Sequence, residues 1–427
     1  MNYIANKIQM ILLAFAFCAS FITPAAQAAD DESLAYRVRY TLAPVPDSNR
    51  IAVSMTVRQD RELLLEVRFR RGPQIVSVEA DGKNVGTGEE VVWQPGPSGG
   101  TLRWTVELGI ERNGKGYDAW LSDEWGIFRA EDVIPRAATR AVQDAYSKTT
   151  LQFDLPERWA MVTAYPLANS RFIVRKNYRK FDQPDGWIAI GRLGIRRETI
   201  ADMQVAVAGP TGHSVQRMEI LALLNWTLPE LARAIGDLPV HLTIVSAGDP
   251  MWRGGLSGPN SLYLHADRPL ISENSTSPLL HEVIHSILRI SAADGYDWLV
   301  EGIAEYYSLE LLRRSGTITQ SRYQKAMQFQ ENWSESADAL CRSASTGATT
   351  ALAVTVMAAL DSEIQKRSSN NASLDNVVSA LMQNPRNVSL AAVQAIVEDL
   401  LNSESVTLQL DKLPGCRSIH SIAEETN

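Results

Sequence analysis

The chain has 427 residues, of which 45% are hydrophobic and 21% charged, and its formal net charge is −8 at pH 7. This ordinary globular composition excludes a disordered chain, a collagen-like repeat and a small disulfide-stapled domain, and the length suggests two or three domains. The 41 basic residues are spread along an acidic chain, which argues against nucleic acid or an anionic membrane as a partner.

The first 28 residues are typical of an export signal. Lys7 precedes an apolar run over residues 8–22, and Ala26-Gln27-Ala28 supplies small residues for cleavage. The alternative is a membrane anchor, but the run is short for the roughly 30 Å of hydrocarbon in a bilayer. We therefore expect cleavage after residue 28, a periplasmic or secreted protein, and no membrane span in the mature chain.

Residues 36–110 alternate between apolar and polar side chains, which is the pattern of half-buried β-strands. Turn-rich patches separate the alternating runs, and strand-like sequence continues to about residue 209. We therefore predict a β-rich N-terminal domain over residues 29–212, built as an antiparallel sandwich or a saddle-like sheet.

After about residue 210 the hydrophobic period becomes that of helices. A helix is predicted over residues 215–235, with Pro229 as a candidate break, followed by a buried strand over 240–246. A second strand is predicted over 261–265, as a candidate edge strand. From residue 277 the sequence is mainly helical. The predicted helices cover residues 278–290, 297–315, 319–333, 350–367, 374–383 and 389–403. The predicted fold class is thus α+β, with a mainly helical domain over residues 213–427.

The most informative motif in the chain is H-E-x-x-H. Ser277 can cap a helix here and Pro278 suits its first turn. Residues four apart share a helix face, so His281 and His285 can bind one Zn²⁺. Glu282 lies one step round the helix, where it can take a proton from water at the metal without being a ligand. The alternative is a pair of ordinary helix histidines.

A second helix is predicted to begin at Asp297, which can cap it. The interval after His285 leaves room for a turn and for a helix running back beside the first, so that Glu301 can be the third ligand. Gly302 removes a side chain where helices approach closely. Glu305, one turn further on, can accept the second N–H of a metal-bound histidine, and the alternative is a solvated charge. Two histidines, a carboxylate and an open fourth position are typical of a catalytic zinc site rather than a structural one.

The motif H-E-x-x-H followed by W-L-x-E-G-x-A-E-Y-Y resembles the gluzincin metallopeptidases. Within them it most resembles the glycyl aminopeptidase family and, more distantly, the alanyl aminopeptidases. Gly254, Gly255 and Leu256 are similar to a Gly-Gly-Leu segment that the family carries upstream of its histidines. Residues 311–319 and 360–367 also resemble sequence that follows the family's glutamate.

The resemblance covers residues 220–400 and implies a thermolysin-like zinc peptidase domain behind the β-rich domain. It implies Zn²⁺ bound by His281, His285 and Glu301 and a peptide or protein substrate. Gly254, Gly255 and Leu256 would contact that substrate. The segment 254–265, if it forms an edge strand, would pair with an extended peptide by strand addition.

The sequence also departs from the family pattern. Ser257-Gly258 stands where the family usually carries Glu-His, which leaves aminopeptidase and endopeptidase activity both open. The interval before Glu301 is shorter than usual, and no PDZ module is expected. The tyrosine expected near residue 350 is missing, so the oxyanion donor is left open among Tyr263, Tyr306, Tyr307 and Tyr323. These departures support an alternative function, an exported zinc-binding pseudo-peptidase that acts as a binding or scaffold protein.

Two cysteines remain after the expected cleavage, Cys341 and Cys416. An oxidising compartment permits a disulfide between them, and the alternative is a pair of buried thiols. His241 and His265 lie in strand-like runs and are expected to be core or edge residues, whereas His213 is expected to be exposed. The sequence does not indicate the oligomeric state.

Overall fold

The structure is a computed structural model that describes residues 32–81, 88–175 and 180–417. The expected export signal lies outside the described residues. The described part contains several β-sheets and both long and short helices, so the predicted mixed α+β class is confirmed. Among its helices, none has the length and hydropathy needed to cross a bilayer.

Strands account for most of the described chain before residue 211. Their bounds are β1 (Ala35–Pro44), β2 (Arg50–Arg58), β3 (Leu64–Arg70), β4 (Ile75–Ala80), β5 (Glu90–Trp93), β6 (Gly99–Glu107), β7 (Ile110–Glu111), β8 (Tyr117–Leu121), β9 (Trp125–Arg129), β10 (Ala137–Ala141), β11 (Tyr146–Phe153), β12 (Ala160–Val162), β13 (Leu167–Ala168), β14 (Arg171–Val174), β15 (Trp187–Gly191), β16 (Leu193–Ile200) and β17 (Met203–Pro210). A four-residue helix, α1 (Ala130–Val133), follows β9.

The largest sheet has the strand order β13-β14-β11-β1-β2-β6-β4. Its pairs are antiparallel except β1 with β11, which is parallel, so the predicted purely antiparallel arrangement is wrong at this pair. A parallel pair needs a long connection, and residues 45–145 provide it. Two smaller sheets, β10-β3-β5 and β12-β15-β9-β8-β7, share an apolar core with the large one, as Val38, Val67 and Ile188 illustrate.

A fourth sheet has the order β16-β17-β18-β20-β19, with β18 at His241–Ala247, β19 at Gly255–Gly258 and β20 at Ser261–His265. It crosses the predicted domain boundary after residue 212, because β17 pairs in parallel with β18. The expectation of an edge position for residues 261–265 is wrong, since β19 pairs outside β20 and is itself the edge strand.

Long helices follow these strands. Their bounds are α2 (Arg217–Ile235), α3 (Pro278–Leu288), α4 (Asp297–Arg314), α5 (Gln320–Ser334), α6 (Ala348–Arg367), α7 (Leu374–Gln383) and α8 (Leu390–Leu401). Contrary to the predicted break, α2 runs unbroken through Pro229. Leu224, Leu228 and Leu231 around this proline are completely buried, and their packing offsets the lost backbone hydrogen bond.

The helices pack on the fourth sheet around a second apolar core, in which Ile244 of β18, Leu280 of α3 and Leu299 of α4 are almost fully buried. A disulfide joins Cys341 to Cys416, with Cα atoms 4.9 Å apart, which answers the question that the sequence left open. The bridge ties the end of the described chain to the loop between α5 and α6.

Candidate metal centre

The histidine motif lies on α3, as predicted. Ser277 caps this helix, because its hydroxyl accepts a hydrogen bond from the backbone N–H of Leu280 at 3.2 Å. The Nε2 atoms of His281 and His285 lie 3.0 Å apart, and the two side chains are only 17% and 13% exposed. The two rings therefore share one face of α3 and meet at one point.

Helix α4 brings a carboxylate to both rings. The two oxygens of Glu301 lie 3.3 Å from Nε2 of His281 and 3.3 Å from Nε2 of His285. Asp297 does not cap this helix as predicted, because the N-cap position is Tyr296. The Asp297 carboxylate instead accepts a hydrogen bond from the backbone N–H of Ser345 at 2.6 Å and so attaches the loop before α6 to the start of α4.

Gly302 supports the site from the other side of α4. A Cβ at this position would lie 2.8 Å from the Cβ of Ala353 on α6. The close approach that the glycine permits is therefore to α6 rather than to the histidine helix. Because α6 holds α4 at this distance, it also sets the position of Glu301, the residue before Gly302.

Glu305 lies one turn after Glu301 and contacts the other nitrogen of the first histidine. Its Oε2 is 2.9 Å from Nδ1 of His281, and its side chain is 14% exposed. A carboxylate in this position accepts a hydrogen bond from Nδ1–H, which directs Nε2 of His281 towards Glu301 and His285. The alternative of a solvated charge does not describe this residue.

The three facing side chains fit a small divalent cation. Two donors at about 2.0–2.1 Å from a tetrahedral zinc ion lie about 3.3 Å apart. The Nε2 atoms of His281 and His285 are 3.0 Å apart, and each lies 3.3 Å from a different carboxylate oxygen of Glu301. In the described part of the chain, no other set of three histidine, cysteine or acidic side chains is grouped closely enough to hold a metal.

The electrostatics of this group favour a positive charge at its centre. Burial disfavours a charged His281 ring, yet hydrogen bonds to Glu301 and Glu305 outweigh burial and raise the pKa of His281 to about 10. Burial acts to raise the pKa of Glu301, but the two rings overcome it and hold that pKa at about 2. A divalent cation bound between these side chains would supply this positive charge in place of a proton.

Glu282 lies against the edge strand β19. A Cβ on Gly255 would be 2.9 Å from Cγ of Glu282 and 3.0 Å from its Oε1, so strand and side chain are in contact. Burial raises the pKa of Glu282, and a hydrogen bond with Ser257 acts in the opposite direction. The sequence marked Ser257 only as a departure from a family pattern, because a contact between a strand and a distant helix has no spacing signal.

The three residues predicted to contact substrate have different surroundings. Gly255 lies against Glu282, as described, whereas Gly254 packs against the ring of Trp252. Leu256 packs on a small apolar cluster that includes Tyr263. Side chains alternate along a strand, so Leu256 projects to the face of β19 opposite Gly255. Gly255 is thus the member of the trio that contacts Glu282.

The four tyrosines considered as oxyanion donors all have other hydrogen-bond partners. Their partners are the Trp252 carbonyl for Tyr263, Asp361 for Tyr306, Asp375 for Tyr307 and Glu310 for Tyr323. These bonds hold the tyrosines within the fold. In this structure each hydroxyl is bonded to its own partner, so none of the four is free to donate to a substrate carbonyl.

The other three described histidines lie outside the group formed by His281, His285 and Glu301, and His420 lies outside the described residues. His265 is buried inside the fourth sheet and His241 begins β18, as expected of core or edge residues. The prediction that His213 is exposed is wrong. Its ring packs edge-on against Trp125, and its Nδ1 accepts a hydrogen bond from the backbone N–H of Gly248 at 3.1 Å.

Comparison with known proteins identifies a similar fold. No family model matches the chain, and no curated protein matches it. Among 109 matching chains of solved structures is the crystal structure of an aminopeptidase N family protein from Idiomarina loihiensis. The TM-score is 0.60 at 16% sequence identity, over 81% of this chain and 70% of that chain. At this identity the similarity shows the fold alone.

Proposed function

We propose that the protein is an exported, zinc-dependent metallopeptidase of the gluzincin type. The observation that carries this proposal is the convergence of His281, His285 and Glu301 within 3.3 Å of one another. The fold similarity supports it, because the solved structure with a similar fold is that of an aminopeptidase N family protein. Catalysis itself is argued from this chain's own side chains.

His281, His285 and Glu301 would hold the ion, and Glu305 would orient the His281 ring. When bound, zinc polarises a peptide carbonyl and lowers the pKa of a coordinated water to about 7. A structural zinc site usually has four protein ligands, often cysteines. The two cysteines in the described part are joined to each other, so they do not complete such a site.

Glu282 would be the general base and acid. Its neighbours on β19, Gly255 and Ser257, carry no charge, and within the described residues no lysine or arginine forms an ion pair with it. Its carboxylate is therefore available to take a proton from the attacking water and to return that proton to the leaving amine.

The edge strand β19 would bind the substrate backbone. Its partner β20 occupies one side, and in the described chain no strand pairs with the other. An extended peptide can add to such an edge through main-chain hydrogen bonds. Because Gly255 of this strand touches Glu282, a peptide bound there lies beside the proposed base.

The wider assignments are consistent with this function. The disulfide between Cys341 and Cys416 supports an oxidising compartment, and hence the export suggested by residues 1–28. We propose residues 29–212 and 213–427 as the β-rich and catalytic domains, with β16 and β17 completing the sheet of the second.

The test compares wild type with Glu282→Gln on a library of free and N-terminally blocked peptides. The wild-type protein, loaded with zinc, should cleave peptides, and the blocked set separates endopeptidase from aminopeptidase activity. Glu282→Gln should keep its zinc and lose about 10²–10⁴-fold in rate. Glu331→Gln, an exposed site on α5, is the matched control and should retain activity. Zinc binding without cleavage of any peptide by the wild type would support the pseudo-peptidase instead.

A further inference from the structure

Basic side chains line a groove on the outer face of the largest sheet, on strands that contribute nothing to the metal centre. The groove has a volume of about 440 Å³ and crosses β1, β2, β11 and β14. Its cations are Arg37, Arg39, Arg58, Lys148 and Arg171. A cluster of five basic side chains is unexpected in a chain of net charge −8. The sequence does not reveal the cluster, because basic residues are spread along the whole chain.

The strand register sets like charges directly opposite each other. Arg37 of β1 pairs with Lys148 of β11 on one side and with Arg58 of β2 on the other. Neighbouring strands are about 4.8 Å apart, so three cations follow one another across about 10 Å. Like charges in opposed positions destabilise a sheet. The arrangement therefore costs stability, and folding alone does not explain it.

Acidic side chains do not neutralise most of this groove. Within the described residues, Lys148 pairs with Glu32, while no carboxylate pairs with the four arginines. Elsewhere on the same sheet, exposed arginines do have partners. Arg50 is bound to Glu107 and Arg103 to Asp81. Within the described strands of this sheet, the arginines without a carboxylate partner are thus those of the groove.

Arg39 provides a second, independent observation. Its Nε is buried and has no hydrogen-bond acceptor. Burial and the nearby charges of Arg171 and Arg58 lower the pKa of Arg39. A buried donor without an acceptor is costly, and an oxyanion in the groove would supply one. Thr150, which lies opposite Arg39 in the register, also lines the groove and offers a hydroxyl to the same anion.

We propose that this groove binds a soluble ligand that carries two or more phosphate groups. Guanidinium groups bind phosphate oxygens in bidentate pairs, and each phosphate monoester carries about −1.5 to −2 charges at pH 7. Two such groups balance four arginines in a small volume, which singly charged carboxylates do less well. The concave shape suits a small molecule better than the flat surface of a membrane.

The test is calorimetric titration of the full-length mature protein with fructose 1,6-bisphosphate and, for comparison, fructose 6-phosphate. These probes differ by one phosphate. Wild type should bind the bisphosphate at least about tenfold more tightly. The double variant Arg37→Gln/Arg39→Gln should lose at least about tenfold in affinity, whereas Arg50→Gln/Arg103→Gln, with the same change in charge on the same sheet, should stay within about twofold.

A thermal melt shows whether the groove variant still folds and whether the bisphosphate stabilises it. Because Arg37→Gln relieves like-charge contacts, the groove variant should unfold at an unchanged or higher temperature without ligand. The bisphosphate should stabilise wild type and Arg50→Gln/Arg103→Gln, but not the groove variant. No saturable binding by wild type, or equal losses in both double variants, would overturn the proposal. So would groove-dependent binding to vesicles of phosphatidylglycerol without binding of the bisphosphate, since that outcome indicates a membrane surface.

Discussion

Helix α4 carries two acidic clusters, one around the partly buried Glu301 and Glu305 and one around the buried Glu310, and the counter-ions of the two clusters differ. Near the start of the helix, the ion-pair partners of Glu301 and Glu305 in the described structure are histidine rings. Near its end, Glu310 pairs with Arg313 at 2.6 Å and with Arg314 at 3.0 Å.

The second cluster is a closed network. Arg314 also binds Asp375 at 2.8 Å, and Asp375 accepts the hydroxyl of Tyr307. Arginine keeps its proton in proteins, so these carboxylates have permanent counter-ions. An imidazole can release its proton and offer the nitrogen to a metal. The place where this helix can bind an ion is therefore marked by carboxylates that lack a permanent cation as partner, and not by carboxylates in general.

Glu310→Gln should have the largest effect on folding. Its side chain is 4% exposed, and the change leaves two arginines short of a partner, so we expect the free energy of unfolding to fall by about 2–3 kcal/mol. Denaturant unfolding measures the loss, with Glu331→Gln as the exposed control. Zinc content should be unchanged. Loss of zinc in this variant would erase the distinction between the two ends of α4.

Glu305→Ala should weaken zinc binding by about 10–100-fold, because the His281 ring loses the acceptor that orients it. Glu305→Gln keeps a carbonyl acceptor and should lose less. Competition with a chelator gives both affinities. Equal affinities for wild type and Glu305→Ala would show that this carboxylate does not position the ring.

Gly255→Ala should give the smallest of these effects. The new Cβ overlaps Cγ of Glu282, which is flexible enough to move, so stability should change little while the base is displaced. We expect the rate of peptide hydrolysis to fall about tenfold with zinc retained. Gly88→Ala is the control, since a Cβ there meets no atom within 4 Å. An unchanged rate for Gly255→Ala would separate β19 from the chemistry.

Local patterns predicted much of the site. The cap at Ser277, the four-residue spacing of His281 and His285, and the room for a returning helix are all properties of short segments, and together they point to Glu301. The period of two before residue 210 likewise predicted strands where strands occur.

The features that the sequence did not predict depend on contacts between distant segments of the chain. The parallel pairing of β1 with β11, the packing of Gly302 on Ala353 and the contact of Ser257 with Glu282 leave no periodic signal. The break expected at Pro229 does not occur, for a related reason. The low helix propensity of proline is a local property, whereas the packing of α2 that overrides it involves distant segments.

The proposal that His281, His285 and Glu301 bind one divalent ion is tested by elemental analysis of purified protein after zinc loading and removal of free metal. We expect about one zinc per chain in wild type and in Glu310→Gln, and little in His285→Ala or Glu301→Ala. A wild-type protein without stoichiometric zinc, or a Glu301→Ala variant that retains it, would contradict the claim.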